Sequence, residues 1–359
     1  PTDNAHGVQI AKTCEAMAKA GGKVTLVRPW RFNKMKGDIF DHYNVERNFK
    51  VVTLPSIDIS ILGWLGFWIQ MLSFAKIAFW YVLIARPDVV YSRDEVPLYF
   101  ASWACRNVVW ESHSGRFNVL VDRLIKSLKL LVVITKGGAD FYAEKGMPRE
   151  RIHVAPDAVS LEDFAHPESK EAARKRLGLP LDKKIALYIG KLDGWKGAET
   201  FCAASEFAPE VLFAAIGGEP HEISALKAKY PKVTFLGWRP YSELPDNQQA
   251  GDVLVLPNTA KSEISVRFTS PLKLFTYMAS GVPIVASDLP SIREVLDDSS
   301  AYFATPDDPT TIARAIFNVI SEGRGAFETS DSAKRLTANF TWKVRGKRIV
   351  QSIENVISA

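Results

Sequence analysis

A pair of lysines in a glycine-bounded turn is the first place where this chain could do chemistry. "KIALYIGKLDGWKG", residues 184–197, reads as a buried strand running into Lys191 and Lys196, with Gly194 and Gly197 flanking the second lysine. Just past the carboxyl end of a strand is where ligands of open α/β sheets bind. Two cations there suit a pyrophosphate, whose charge they neutralise as it leaves. A solvated loop with ordinary surface lysines accounts for the same residues. Further along, "TSPLKLFTYMASGVPIVASD", Thr269 to Asp288, reads as a turn, a short helix, a glycine stop and a buried strand. Ser270 is expected to cap that helix and Pro271 to take its first position. Free N–H groups at such a start, with the helix dipole behind them, favour a phosphate. Gly281 then ends the helix. A well-capped structural helix is the plainer reading of this stretch.

"NVVWESHSGR", residues 107–116, puts His113 at the carboxyl end of another strand, facing an expected cleft. An imidazole there could donate to a sugar hydroxyl or to developing charge, although a lone histidine is commonly structural or solvated. "NAHG", Asn4 to Gly7, reads as a polar turn before a helix, where Gly7 could let backbone approach a phosphate. Other chemistries find little support. His6, His42, His113, His153, His166 and His221 are scattered, with no HExxH and no Cys/His spacing, so no metal is expected. There is no GxSxG elbow, no GxGxxG and no Walker A loop. Hydrolase, NAD and ATP signatures are therefore missing. Cys14, Cys105 and Cys202 are unpaired in spacing and read as buried thiols of a reducing compartment.

The elements that must hold these residues follow from the apolar pattern. With 359 residues, the prior is two domains of about 150–200 residues. At 47% hydrophobic and 24% charged, the chain is globular rather than disordered. Its net charge of +5 suits a sugar nucleotide or an anionic membrane surface. Without a basic run or a recognisable motif, nucleic acid is not an expected partner. "KVTLV", "KVVTLP", "DVVYSRD", "NVVWESHS", "LLVVITK" and "RIHVAPDAV" form one series of candidate strands. "KIALYIGKL", "VLFAAIGG", "KVTFLGW", "DVLVLP", "VPIVAS" and "SAYFA" form a second. Their continuous apolar runs suit parallel sheets covered on both faces. Residues 162–183 look like a linker plus a surface helix. The expectation is α/β: two doubly wound Rossmann-like domains facing a central cleft, residues 1–159 and 160–340. A terminal helix over about 341–359, spaced by Trp342, Val344, Ile349, Ile353 and Ile357, is expected to pack back on the first. The chain opens without an obvious first strand, which suggests that the natural protein begins earlier.

"ISILGWLGFWIQMLSFAKIAFWYVLIA", Ile59 to Ala85, carries a single charge, Lys76, and is apolar nearly all round. Its length makes it a transmembrane candidate. A spanning helix would separate strands that belong to one sheet, which argues against it. Two readings remain: a buried or partner-covered helix, and an interfacial helix dipping Trp64, Phe67 and Trp68 into lipid headgroups. Lys76, Arg86 and "DRLIKSLK" from Asp122 would add attraction to anionic lipid.

"GKLDGWKG" followed by "TSPLKLFTYMASGVPIVASDLPSIREVL" resembles the donor-binding domain of a retaining GT-B glycosyltransferase of group 1 (GT4). The likeness extends to "AHGVQIAKTCEAMAKAG" and "ESHSG", in the same order over nearly the whole chain. It implies a nucleotide-sugar donor and, together with the aromatic helix, a glycan or lipid-linked acceptor; the helix and the cysteines lead to an expected cytoplasmic, peripheral membrane location. It also implies no cofactor and usually no metal, because cations and the helix start take the metal's part. On this resemblance Lys191 and Lys196 meet the donor diphosphate, which backbone at Ser270, Pro271 and Leu272 would line. His113 lies near the donor sugar, and Gly237, Trp238 and Arg239 beside the nucleobase. The family often has two glutamates eight positions apart, here replaced by Phe268 and Thr276. The second commonly holds the ribose, so Thr276 is a weakened ribose contact. Those replacements keep open a non-catalytic sugar-nucleotide-binding or scaffold protein of the same fold. A sugar-nucleotide epimerase would want a carboxylate cluster that the sequence lacks.

Overall fold

The computed structural model describes residues 5–32 and 37–358. The chain divides into two compact units, Pro1–Asp157 with Trp342–Ala359, and Ala158–Thr341. Among the described residues twelve strands form; eleven lie inside a segment marked by its apolar run, and the first runs two residues past "KVTLV" to Pro29. The first unit holds β1 (Thr25–Pro29), β2 (Lys50–Leu54), β3 (Val90–Ser92), β4 (Val108–Ser112), β5 (Leu130–Val133) and β6 (Ile152–Val154). The second holds β7 (Lys184–Ile189), β8 (Val211–Ile216), β9 (Thr234–Phe235), β10 (Val253–Leu256), β11 (Ile284–Ser287) and β12 (Tyr302–Ala304).

In the first unit β1 pairs with β2, and β3-β4-β5-β6 form a four-stranded parallel sheet. Successive side chains point to opposite faces of a strand. Val108, Trp110, Leu131 and Val133 accordingly enter one core layer, with Leu124 and Tyr142. Val109, Leu130 and Val132 enter the other, which the terminal helix Trp342–Ser358 fills with Ile349 and Ile353. That helix also lies along the first helix, Ala5–Lys19, in close backbone approach. A Cβ at Gly346 would stand 2.6 Å from the carbonyl carbon of Ala16, so only glycine fits.

The second unit is a six-stranded parallel sheet in the order β12-β11-β10-β7-β8-β9. Counted along the chain within the unit, this is the doubly wound 3-2-1-4-5-6 arrangement, whose order reverses between β7 and β10. Ile185 and Leu187 of β7 face one buried layer, and Ala186 and Tyr188 the other. The expected linker helix forms at Lys170–Leu177, but it is not a plain surface element. Its Arg174 is buried, donating to Asp252 Oδ2 at 2.6 Å and to the Ala250 carbonyl at 2.9 Å.

The apolar segment forms a helix from Gly63 to Ala85, long and apolar enough to cross a membrane by length and composition alone. The reading of a wholly buried helix does not hold. Only Gly66, Gln70, Ala75, Ala78 and Val82 are buried, mostly small residues that let the helix lie against Glu95–Ala101. Trp64, Leu65, Phe67, Trp68, Leu72, Trp80 and Leu83 stay exposed, Trp64 at 76%.

Candidate functional site

The carboxyl ends of β7 and β10 flank the reversal of strand order, and the loops leaving them are locked together. Tyr188, fully buried in β7, donates its hydroxyl to the Lys191 carbonyl at 2.6 Å. The next residue, Ile189, donates its N–H to the Tyr277 hydroxyl at 3.0 Å. Gly197 sits at φ +71, and a Cβ there would meet the Pro257 carbonyl oxygen at 1.6 Å. Thr259 N–H donates to the Trp195 carbonyl at 3.1 Å. The β7 turn is thus seated on the β10 loop, and its two lysines have a fixed base. Lys191 is exposed, with no carboxylate partner among the described residues. Lys196 is partly enclosed and lies 3.5 Å from Asp193, a carboxylate more than half exposed, so the pair is weak. Between these loops Asn258 is fully buried, and neither amide atom has a hydrogen-bond partner.

The helix after β10 runs from Leu272 to Ser280 and ends at Gly281 in the left-handed region, φ +71. Its start differs from expectation. Pro271 is the capping residue itself, at φ −72 and ψ 126, and no side chain caps the helix. The extended ψ keeps proline out of the first turn, so Leu272 opens the helix and the capping position falls to Pro271 rather than Ser270. Pro271 has no side-chain acceptor, so the capping residue itself leaves the N–H groups that open this helix uncovered, as an anion-binding helix start requires.

Lys273, the second helical residue, was not among the residues singled out in the sequence. Its Nζ lies 4.4 Å from the centre of the Tyr188 ring and 3.3 Å from that hydroxyl. A Cβ on Gly190 would come within 3.4 Å of it. The only advance signal was its place, directly after the Ser-Pro-Leu that opens the helix.

Thr276 has a different role from the one expected. It is 2% exposed, donates to the Lys273 carbonyl at 3.0 Å and accepts from Gln248 Nε2 at 3.0 Å. Its position on the helix turns the hydroxyl inward, so the ribose contact assigned to it is not available. Phe268 is likewise buried. Gly237 (φ +70) follows β9 and is followed by exposed Trp238 and Arg239. Strand β9 lies two places from β7 on the same sheet edge, about 10 Å away at ordinary strand spacing.

In the first unit His113 follows β4, with Nε2 2.5 Å from Glu111 Oε1 and 3.4 Å from Gln9 Nε2. Glu111 is buried at the strand end and accepts from Gln9 Nε2 and Arg345 Nη2, both at 2.6 Å, and from the Tyr91 hydroxyl. Burial would raise its carboxyl, but the Arg345 guanidinium and the bond to His113 outweigh that and hold it well below the usual range. Arg345 comes from the terminal helix and also donates to Thr13 Oγ1 and the Pro156 carbonyl, each at 3.0 Å. The sequence pointed to His113 and missed its support, because Gln9, Glu111 and Arg345 are far apart in the chain. Gly7 is corrected. It lies within the helix Ala5–Lys19 and is buried, rather than in a turn before it; Asn4 lies outside the described residues.

The family Glycosyl transferases group 1 matches residues 183–322, which hold both lysines, the locked loops and the helix start. Those residues, 183–322, are thus similar to the group 1 glycosyltransferases. A D-inositol 3-phosphate glycosyltransferase of Xylanimonas cellulosilytica is 26% identical over 62% of this chain and 55% of its own length. The putative teichuronic acid biosynthesis glycosyltransferase TuaC of Bacillus subtilis is 29% identical over 45% of this chain and 40% of its own. The chain thus spans about half the length of the curated relatives it matches. Anabaena HepE in complex with UDP-glucose superposes with a TM-score of 0.77 at 14% identity, covering 99% of this chain and 97% of HepE. The chain's fold is therefore GT-B.

Proposed function

We propose that this protein transfers a sugar from a nucleotide-diphosphate donor to a lipid-linked or cell-envelope glycan, with retention of configuration. The observation that carries the proposal is the convergence of Lys191, Lys196 and the uncapped start of the 272–280 helix at the strand-order reversal. UDP-glucose bound to HepE supports a nucleotide-sugar donor, and the teichuronic acid relative supports an envelope acceptor. In the transfer, the bond from the anomeric carbon to the donor phosphate oxygen breaks. That oxygen takes the proton of the acceptor hydroxyl, and the acceptor oxygen bonds to the same face of the sugar. The two lysines and the helix dipole offset the growing diphosphate charge, the part a metal plays in other transferases. The family resemblance assigns His113 to the donor sugar and Gly237, Trp238 and Arg239 to the base.

The exposed row of Trp64, Phe67 and Trp68 supports peripheral attachment to the inner face of the cell membrane. Flotation with anionic liposomes should decline when Trp64 and Trp68 become Ser. An unchanged fraction afloat would remove the membrane from the proposal.

Slow donor hydrolysis without acceptor tests the central claim. With a panel of UDP-, GDP- and dTDP-sugars, one donor should release sugar, and Lys196→Ala should slow release by about ten- to a hundredfold. If no nucleotide binds, the proposal is wrong. Phe268 and Thr276, both buried where relatives often carry glutamate, favour one second reading, a sugar-nucleotide-binding scaffold. Nucleotide binding with neither release nor transfer would select it.

A further inference from the structure

Lys273 is a cation without an anion. Its partners are the ring and hydroxyl of Tyr188, and no carboxylate pairs with it among the described residues. The strand and its turn bring Tyr188, Lys191, Asp193 and Lys196, and its own helix brings Tyr277. Glu222 and Cys202 act on Tyr188 from beyond. The carboxylate on the β7 turn, Asp193, pairs with Lys196 instead. The charge that acts on Lys273 is the like charge of Lys196. Two lysines held in mutual repulsion, one crowded by protein, form a site whose missing component is negative.

We infer that Lys273 is a third phosphate-binding lysine of this site and that it gains a proton when the anion arrives. The inference rests on the proposed diphosphate donor and goes beyond it, since it assigns the site a coupled proton. Burial, and then the Lys196 charge, lower the ammonium of Lys273 to about 7 in the unliganded protein. A diphosphate reverses both effects by supplying the opposite charge at short range. Well below neutrality Lys273 is already charged, and binding needs no proton from this residue. Above neutrality the proton must be taken from solvent, so affinity falls by about tenfold per pH unit until the bound-state value is passed. The proton moves from buffer to Lys273 Nζ, and no covalent bond to the ligand forms.

The test is isothermal titration calorimetry of the full chain with UDP, GDP and inorganic pyrophosphate. Titrations between pH 6.5 and 8.5, in paired buffers of different protonation enthalpy, count protons. The wild type should take up about one proton per site near pH 8 and about a quarter of one near pH 6.5. Lys273→Arg, always charged, should bind with uptake lost. Lys273→Met should bind about ten- to a hundredfold more weakly at neutral pH and lose the pH dependence attributed to Lys273. Absence of uptake by the wild type overturns the inference whatever the variants do. Equal uptake by wild type and both variants overturns it too. If pyrophosphate shows the wild-type-minus-Arg difference while no nucleotide binds, Lys273 keeps its role and the nucleotide-sugar reading falls. If neither class of anion binds, both fall.

Discussion

Thr276 shows how a single side chain changes meaning once its neighbours are known. In the chain it stands where relatives often carry a ribose-binding carboxylate. In the fold its hydroxyl is committed to Gln248 and to the Lys273 carbonyl. Thr276→Val keeps the shape and removes both bonds, leaving the buried Gln248 amide short of a partner. The expected cost is about 1–3 kcal/mol of stability with nucleotide affinity unchanged, read by thermal melting beside calorimetry. A large loss of affinity without a change in melting would return Thr276 to the ribose. Glu111 is the counterpart in the first unit, a buried carboxylate kept charged by Arg345. Arg345→Met removes the cation that most offsets that charge and should destabilise by about 3–5 kcal/mol. Because the folded carboxyl lies below its unfolded value, its stabilisation is complete above the ordinary carboxylate range. It is lost as pH falls through the folded value. Melting temperature followed from pH 7 to pH 3 should therefore drop in the wild type, and the Met variant should start lower and show less of this drop. Parallel curves would refute the assignment.

Among elements, the turn Gly194–Lys196 and the helix Leu272–Ser280 carry the site, and both are set by their ends. Glycine at 197 is required twice, by its positive φ and by the Pro257 carbonyl. Gly197→Ala must push the β7 turn off the β10 loop. The expected result is a fall of more than tenfold in nucleotide affinity, together with about 1–3 kcal/mol of stability. Unchanged binding would show that the seat of the turn does not matter to the lysines. The helix was legible in its stop, because Gly281 is a left-handed residue that favours glycine. Its start was misplaced by one residue, because the choice between proline in the helix and proline as cap lies in ψ. That angle answers to packing rather than to residue type.

For the whole molecule, the second unit is contiguous in sequence, whereas the first is completed by a helix from the far end of the chain. Ending the chain after Thr341 would remove Arg345 from Glu111, and Ile349 and Ile353 from the sheet. Calorimetric unfolding of such a truncation should lose or strongly lower the transition of the first unit. That of the Ala158–Thr341 unit, whose core is its own, should persist. Retention of both transitions unshifted would mean the terminal helix is dispensable.

The sequence by itself determined the two α/β series, the apolar runs of all twelve strands, the glycine stop of the 272–280 helix and the group 1 motifs. Those are local signals: periodicity, propensity and short spacings survive in a linear reading. Tertiary structure decided which strand neighbours which, and so that the β7 and β10 loops share one crevice. It decided that the apolar helix buries its small residues and presents its tryptophans. It also brought Gln9, Glu111 and Arg345 together, and set Lys273 over Tyr188, under the charge of Lys196, with no carboxylate partner among the described residues. Such pairings lie far apart in the chain, and their energies depend on burial and on the distance between charges, which exist only after folding.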